Sequence, residues 1–485
     1  MRKLLSAMAM VFSMGMTDPV IAQNFERGLK AANSGDYATA MKEWRFLAER
    51  GNPDGQRNLG LLYREGYGVV QDDKEAVAWF RKAAEQGDAL AQVNLGVMYR
   101  DGRGVFQDYK EAVAWWRKAA ERGNTAAQYN LGLMYERGQG VVQNEKEAVT
   151  WYRKAAEQRY AVAQYNLGVM YSEGRGVVQD DKEAVTWYRK AAEQGYASAQ
   201  YNLGLMFSEG RGVIQDYKEA VTWYRKAAEK GFASAQNSLA GMFHEGRGVV
   251  QDDKEAVTWY RKAAEQGLAS AQYHLGLMYR HGQGVVQDDK EAVTWYRKAV
   301  EQGDAFAQSN LAVMYAKGLG VVQDYKEAVT WYRKAAEQGY AVAQSNLGVM
   351  YSEGRGVIQD YKEAMAWFRK AAEQGNVTGI NNLAFMYYTG QGVSKNYKEA
   401  VFWYGKAAEQ GSGVALDNLG HAYDNGLGVI QDKIYAHMWY NIAISEGYEN
   451  LSKRRDALTK EMSAAEIAKA QELARECVKK QYKAC

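Results

Sequence analysis

Five histidines and two cysteines are the side chains of this 485-residue sequence best suited to metal binding or nucleophilic chemistry. None of the histidines lies in metal-ligand spacing with another on one helix; they are His244, His274, His281, His421 and His437. No serine precedes a lysine by three residues, and neither Gly-x-Ser-x-Gly nor His-Glu-x-x-His occurs. We therefore predict a non-enzymatic protein with no catalytic residue, no metal site and no cofactor.

Two recurring motifs resemble reactive sites but have simpler structural explanations. The Gly-Arg-Gly-Val segments lack the third glycine and the Lys-Ser/Thr pair of a phosphate-binding loop, so we interpret them as turns. Acidic residues such as Asp252, Asp253 and Glu255 recur from copy to copy. This recurrence favours helix capping and solvation over paired acid–base catalysis.

Cys477 and Cys485 are the only cysteines of the sequence. A straight helix would place Cα atoms eight residues apart at a distance of ~12 Å, which is too long for a disulfide. A disulfide therefore requires the last turn to unwind. Two free thiols or an intermolecular bond are the alternatives.

The charge of the chain is nearly balanced, with 61 basic and 58 acidic residues and a formal net charge of +3. This balance argues against non-specific binding to nucleic acid. Only two prolines occur, whereas Ala, Leu, Glu, Lys, Met and Gln are abundant, a composition typical of helical proteins.

The element that must carry these residues is a repeat of 36 residues. The string EAVTWYRKA occurs six times, and tryptophans recur in one register from Trp79 to Trp439. An enzyme site needs its reactive groups once, so a segment copied along the chain indicates a scaffold.

The unit from Tyr196 to Gly231 predicts a helical hairpin. Its first helix, helix A, buries Ala199, Leu203 and Met206 at helical spacing. We expect helix A to end at Gly210 and Gly212, where positive φ angles cost little only for glycine.

The second helix of the unit, helix B, begins after Asp216, which precedes Glu219 by three residues as in a capping box. Its predicted buried side includes Trp223, and Gly231 closes it. Gly204 inside helix A is unfavourable for helix formation by about 1 kcal/mol, so we expect close approach of the partner helix, which carries the bulky Trp223, to explain it.

The N-terminus has the pattern of a secretory signal peptide. Basic Arg2 and Lys3 precede a short apolar run, and a small-residue cleavage signature ends at Ala22. We predict a signal peptide at residues 1–22 and an exported, soluble protein with no membrane span after cleavage. The location is then the periplasm, with extracellular release as a further outcome. An N-terminal membrane anchor is the alternative, although the apolar run is shorter than the ~20 residues of a spanning helix.

Caps are predicted at both ends of the repeat array. Residues 23–51 read as an N-terminal capping hairpin, residues 52–447 as eleven repeats and residues 448–485 as C-terminal capping helices. Ser463 and Glu466 have capping-box spacing before the last amphipathic helix. Repeat arrays need such caps because an exposed terminal repeat would leave an apolar face in water.

The repeat resembles the Sel1-like repeat, a relative of the tetratricopeptide repeat. The motifs that carry the resemblance are Leu131, Gly132 and Tyr135, then Gly138, Gly140 and Val141, then Trp151, Tyr152, Lys154, Ala155 and Ala156. The helix-A glycine is replaced at Ala240, Ala312 and Ala384, and the tryptophan block departs at Gly405. The resemblance implies an all-α, right-handed α-solenoid that acts as an adaptor or scaffold through protein contacts. A cysteine-rich subgroup associated with β-lactams is a poor match, because these repeats contain no cysteine.

The positions at which the copies differ predict the binding surface. In helix A the columns of Leu90, Val93, Val97 and Arg100 vary most, and their spacing places them on one helical face. We expect this face to line the concave surface and to bind a protein or peptide partner. The candidate residues are Tyr129, Leu133, Tyr165, Val169, Tyr201, Leu205, Tyr273, Leu277 and Arg280.

Four alternatives to a binding groove remain at this point. The tyrosines could stack on one another between repeats, or the variable columns could reflect drift on an exposed surface. The protein could also be a cell-envelope enzyme acting on peptidoglycan-like or β-lactam substrates, or a purely structural spacer.

Overall fold

The computed structural model describes residues 19–483 and residue 485, and all regular elements in this part of the chain are helices. A first hairpin consists of α1 (Pro19–Ser34) and α2 (Tyr37–Glu49). The A helices of the next eleven hairpins are α3 (Pro53–Glu65), α5 (Ala89–Asp101), α7 (Thr125–Arg137), α9 (Ala161–Glu173), α11 (Ala197–Glu209), α13 (Ala233–Glu245), α15 (Ala269–His281), α17 (Ala305–Lys317), α19 (Ala341–Glu353), α21 (Val377–Thr389) and α23 (Gly413–Asn425).

The B helices of the same hairpins are α4 (Asp73–Glu85), α6 (Tyr109–Glu121), α8 (Glu145–Glu157), α10 (Asp181–Glu193), α12 (Tyr217–Glu229), α14 (Asp253–Glu265), α16 (Asp289–Glu301), α18 (Tyr325–Glu337), α20 (Tyr361–Glu373), α22 (Tyr397–Ala408) and α24 (Lys433–Ser445). A 3₁₀ turn (Glu449–Leu451), α25 (Ser452–Thr459) and α26 (Ala464–Lys479) complete the chain. The predicted all-α solenoid of helical hairpins is confirmed. The predicted signal peptide falls mostly on residues 1–18, which lie outside the described residues, and α1 contains its last four positions.

Tertiary contacts divide the chain into two compact units. The first contains the residues up to Ala235 together with 247–250, and the second contains 236–246 and 251–485. Within each unit, the A and B helices of a hairpin pack against each other, and each B helix also packs against the next A helix. This order is typical of a solenoid, in which each repeat contacts its neighbours.

Capping explains where the helices begin and end. The Asp216 carboxylate accepts hydrogen bonds from the backbone N–H groups of Lys218 and Glu219, at 2.9 and 3.1 Å, at the start of α12. Gly210 ends α11 with φ +71°, and Gly212 follows with φ +67°. A Cβ on Gly212 would lie 2.2 Å from the carbonyl oxygen of Asp181 in the preceding hairpin, so no larger residue fits there.

The core combines alanines on both helices with leucine and methionine on helix A and with valine, tryptophan and tyrosine on helix B. Gly204 lies against the tyrosine: a Cβ added to it would be 2.7 Å from the ring of Tyr224. Helix B therefore approaches Gly204 closely, as expected, and the ring that makes the contact belongs to Tyr224. Trp223 lies one position earlier on α12, about 100° around the helix, and Lys226 Nζ is 3.9 Å from the centroid of its ring.

Buried glutamines link successive hairpins by hydrogen bonds. Gln128 Nε2 donates to the carbonyl oxygen of Ala120 in the preceding B helix at 3.2 Å, and Gln158 Nε2 donates to Gln128 Oε1 at 2.8 Å. The second unit repeats the pattern at Gln272, which bonds Ala264 and Gln302. These bonds satisfy carbonyl groups at the end of each B helix, where no intrahelical donor remains.

The C-terminal cap closes with a disulfide. Ser463 and Glu466 form the predicted capping box at the start of α26. The helix ends at Lys479, and Gln481 and Tyr482 adopt positive φ angles of 52° and 62°. This turn brings the Cα atoms of Cys477 and Cys485 to 5.4 Å, and their sulfur atoms are bonded. The unwinding that a disulfide requires is thus present in the structure.

Candidate functional site: the half-exposed face of the A helices

Each A helix has a buried side and a half-exposed side. In α9, Ala163, Leu167 and Met170 are buried, whereas Tyr165 and Val169 are half-buried. This half-exposed side is the variable face predicted from the sequence. The equivalent residues Tyr129, Leu133, Tyr201 and Leu205 are also half-buried. The candidate residues of the first unit therefore lie at the surface of the A helices.

An aromatic row follows this face in the first unit. The Tyr129 ring lies 5.8 Å from the Tyr152 ring of its own hairpin and 5.4 Å from the Tyr160 ring at the start of the next. Tyr165 repeats this arrangement with Tyr188 and Tyr196, at 5.9 and 5.2 Å.

Tyr201 extends the row in the same way. Its ring lies 5.8 Å from that of Tyr224 and 5.4 Å from that of Phe232. Each of these three tyrosines contacts the ring of the first residue of the next hairpin and not the next tyrosine of the row. The tyrosines of the row thus pack on aromatic rings of their own and the next hairpin and not on one another. Each of them stays partly exposed.

Burial controls the protonation of these hydroxyl groups. It raises the pKa of Tyr129, to which the neighbouring Tyr160 and Tyr196 add, while the side chain of Asn166 opposes the shift. Burial also raises the pKa of Tyr165, and that of Tyr188 to about 12. The hydroxyl groups stay neutral at physiological pH and can both donate and accept hydrogen bonds.

The second unit carries a shorter version of the row. The Tyr273 ring lies 6.2 Å from that of Tyr296 and 5.7 Å from that of Phe306, which is 49% exposed. Leu277 packs against the local core. Arg280 donates a hydrogen bond to Asp289 at 3.1 Å, so its charge is already paired within its own hairpin.

A polar segment in α13 interrupts the aromatic pattern. Gly241 occupies the Val97 column, and the nearest atom to a Cβ built on it is the Tyr260 hydroxyl, at 3.6 Å. His274 stacks on Tyr260 with ring centroids 5.1 Å apart, and its burial lowers the pKa of the imidazole. His244 Nδ1 lies 2.6 Å from Asp253 Oδ1.

No group of three or more His, Cys, Asp or Glu side chains within residues 19–483 and 485 is arranged to hold a metal ion. Over the same residues, none of the helices has the length and apolar character needed to cross a bilayer.

Eleven consecutive segments of the chain match the family model described as the Sel1 repeat, at residues 53–88, 89–124, 125–160, 161–196, 197–232, 233–268, 269–304, 305–340, 341–376, 378–412 and 413–448. The chain belongs to the Sel1 repeat family. The Sel1 repeat solenoid is typical of protein-interaction scaffolds.

Solved structures of Sel1 repeat proteins resemble this chain. One is a protective antigen present in uropathogenic Escherichia coli strains that displays the SLR fold; it is 39% identical, covers 91% of this chain and 95% of its own, and has a TM-score of 0.83. A second is a Sel1 repeat protein from Oxalobacter formigenes, which is 34% identical, covers 72% of this chain and 99% of its own, and has a TM-score of 0.52. A comparison with curated proteins gave no match.

The structure also shows a feature of the Sel1 repeats that sequence reasoning missed. The inter-helix loop of ten of the eleven repeats carries two apolar residues, of which the first is partly buried and the second projects into solvent. In the first unit the projecting residues include Val70 (86% exposed), Phe106 (97%), Val142 (89%), Val178 (88%) and Ile214 (90%). The sequence feature that could have revealed these residues is an apolar residue that most copies retain within a polar loop.

Proposed function

We propose that this protein is an exported Sel1 repeat scaffold that binds a protein or peptide on the variable face of its A helices. The observation that carries the proposal is the aromatic row at Tyr129, Tyr165 and Tyr201, whose rings are held by neighbours and remain half-exposed. A tyrosine fixed in this way loses little conformational entropy on binding and offers both an apolar ring and a hydroxyl.

The chemistry of the row defines the partner. Val169 and Leu205 lie beside the tyrosines on the same half-exposed face, so the complementary segment presents apolar side chains together with backbone or side-chain hydrogen-bonding groups. Because burial raises the pKa of Tyr129 and Tyr165, their hydroxyl groups are neutral, and a strongly charged ligand gains no counter-charge from them. We infer a segment of low net charge.

Two observations support export. Residues 1–22 have the pattern of a secretory signal peptide, and Cys477 and Cys485 form a disulfide, as is common in oxidising compartments. The related protective antigen of uropathogenic Escherichia coli is also consistent with a protein that the host immune system meets. Mass spectrometry of the mature protein from cell fractions tests this, with Gln23 as the expected first residue.

Affinity capture tests the binding face. Immobilised protein is exposed to envelope extract and, separately, to host secretions, and the retained proteins are identified by mass spectrometry. The test variant carries Tyr129→Ser, Tyr165→Ser and Tyr201→Ser. Serine is the native residue of this column at Ser309 and Ser345, where the A helices keep the same length, so the variant is expected to fold.

The matched control carries Thr150→Ala, Thr186→Ala and Thr222→Ala on the exposed side of the B helices, where alanine is native at Ala78 and Ala114. A partner retained by the parent and the control but lost from the serine variant supports the proposal. Equal retention by all three proteins assigns the tyrosines to packing and contradicts it.

A further inference from the structure

The loops between the A and B helices form a second surface, on which a cleft recurs from repeat to repeat. One cleft has a volume of about 520 Å³ and is lined by Arg117 and Glu121 of α6, by Tyr135, by the loop residue Val142, and by Glu147 and Trp151 of α8. The equivalent cleft one repeat later has a volume of about 500 Å³. Its lining includes Arg153, Tyr171, Val178, Glu183 and Trp187, each 36 residues further along the chain.

Each cleft has an exposed apolar side chain at its edge and a tryptophan N–H group without a hydrogen-bond partner among the described residues. Val142 is 89% exposed at its edge. Trp151 and Trp187 are more than nine-tenths buried, and their indole N–H groups have no hydrogen-bond partner among the described residues. At the equivalent Trp259 the N–H donates to Glu255 at 2.9 Å, so an acceptor can reach this group. Apolar side chains this exposed, repeated along one edge, are unusual on a monomeric surface.

We infer that this loop surface is a self-association interface, on which two copies of the chain pack antiparallel so that the projecting residues of each enter the clefts of the other. Periodicity is the first argument. A partner that engages several identical clefts at once must present its groups at the spacing of the repeats. A second copy of the chain has the same 36-residue repeat, so it presents its groups at that spacing.

Charge is the second argument. Both clefts carry both signs, because Arg117 and Glu147 line one and Arg153 and Glu183 line the next. When two copies are related by a two-fold axis, the arginines of one copy face the glutamates of the other. The net charge of +3 adds little long-range repulsion between copies.

The available area is sufficient for a stable dimer. Burying one Val, Ile or Phe side chain removes roughly 60–120 Å² of apolar surface from water, so the projecting residues of the first unit supply about 300–600 Å². A standard interface buries about 800 Å² on each partner, of which about 450 Å² is apolar.

Molar mass in solution tests the inference on the full chain. We expect light scattering after size exclusion to give twice the chain mass at about 50 µM. The variant Val70→Ser, Phe106→Ser, Val142→Ser, Val178→Ser and Ile214→Ser should dissociate at least 10-fold more readily. Serine already occupies this loop position at Ser394, between helices of ordinary length, so the loops should keep their conformation. The Tyr129→Ser, Tyr165→Ser and Tyr201→Ser variant is the control and should remain dimeric.

A charge-exchange experiment provides an independent test. Arg117→Glu with Arg153→Glu in one chain, and Glu147→Arg with Glu183→Arg in another, should each weaken self-association at low salt, while an equimolar mixture should recover the dimer. A parent that stays monomeric at about 100 µM, or a mixture that associates no better than its components, overturns the inference. These readouts do not involve the A-helix partner, so failure here leaves the proposed function separately testable.

Discussion

Gly204 lies where the Tyr224 ring crosses α11, and its lack of a side chain allows that contact. A Cβ would lie 2.7 Å from the ring, so Gly204→Leu forces the two helices apart and should reduce the free energy of unfolding by about 1–3 kcal/mol or more. Gly204→Ala should change it by less than about 1 kcal/mol, because the ring need shift only a little and alanine favours the helix.

Urea unfolding followed by circular dichroism measures both changes. Alanine is native at this position at Ala240, Ala312 and Ala384, which makes Gly204→Ala a matched control for the leucine variant. Equal denaturation midpoints for the leucine variant and the parent would show that the helix contact is not tight.

His274 makes the second unit sensitive to acid. Burial against Tyr260 lowers its pKa in the folded protein; the backbone of Ser270 and the nearby Asp304 and Glu245 oppose the shift, and His244 adds to it. The unfolded chain therefore takes up a proton at a higher pH than the folded chain. The neutral His274 imidazole makes its full contribution to folding stability above about pH 6.5, and this contribution is lost as the pH falls below that value.

His274→Asn should remove this contribution, since Asn310 and Asn346 are native at the same position. We expect the thermal midpoint of the variant to fall less than that of the parent between pH 7.5 and 5.5. Each unit of pKa difference corresponds to about 1.4 kcal/mol. Parallel pH profiles for the two proteins would contradict the assignment.

At the residue scale, prediction from the sequence succeeded where spacing decides the outcome. Leu203, Met206 and Val221 are buried as the helical period requires. The close approach of helix B to Gly204 was predicted, but not which ring makes the contact, because Trp223 and Tyr224 are adjacent and both are large. Only the rotation of helix B decides between them. The exposure of Val142 was also beyond prediction, since no periodic rule applies inside a loop.

The glutamine bonds hold helices of successive repeats in register. Gln128→Leu removes the bonds to Ala120 and Gln158 and should cost about 1–3 kcal/mol of stability, because a buried carbonyl loses its donor. The side chain itself is expected to fit, since leucine is native in this column at Leu416, which is buried.

Gln143→Leu is the control for this change. Gln143 donates to the carbonyl of Glu136 at the exposed surface, where water can replace the lost bond, so a loss within about 0.5 kcal/mol is expected. Denaturation midpoints of the two variants measured side by side check the difference. Equal losses would mean that burial adds nothing to the glutamine bonds.

The C-terminal disulfide stabilises one element rather than the array. Cys477→Ser with Cys485→Ser opens a short loop, whose closure is worth about 2–3 kcal/mol in the chain-entropy model. We expect faster amide hydrogen exchange from Cys477 to Tyr482 and unchanged exchange in the first unit, because repeats interact mainly with their neighbours. Global acceleration of exchange would show that the cap controls the whole array.

For the molecule as a whole, the 36-residue period decided the fold, and the reason is physical. A periodic sequence repeats one packing solution, so correct interpretation of the unit from Tyr196 to Gly231 describes most of the chain. The binding partner is not encoded in that way. The sequence explains Tyr129 and Tyr165 equally well by packing and by recognition, and the chemistry of the partner lies outside the sequence.

The glutamine register has a consequence for the history of the chain. Gln128 bonds backward to the preceding helix and forward to the end of its own hairpin, and Gln164 does the same one unit later with Ala156 and Gln194. A gene duplication or deletion that moves the frame by one whole unit would therefore create a junction with the same bonds as the old one. Copy number can drift without passing through a misfolded intermediate, and the length of the proposed binding face can be adjusted in steps of one hairpin.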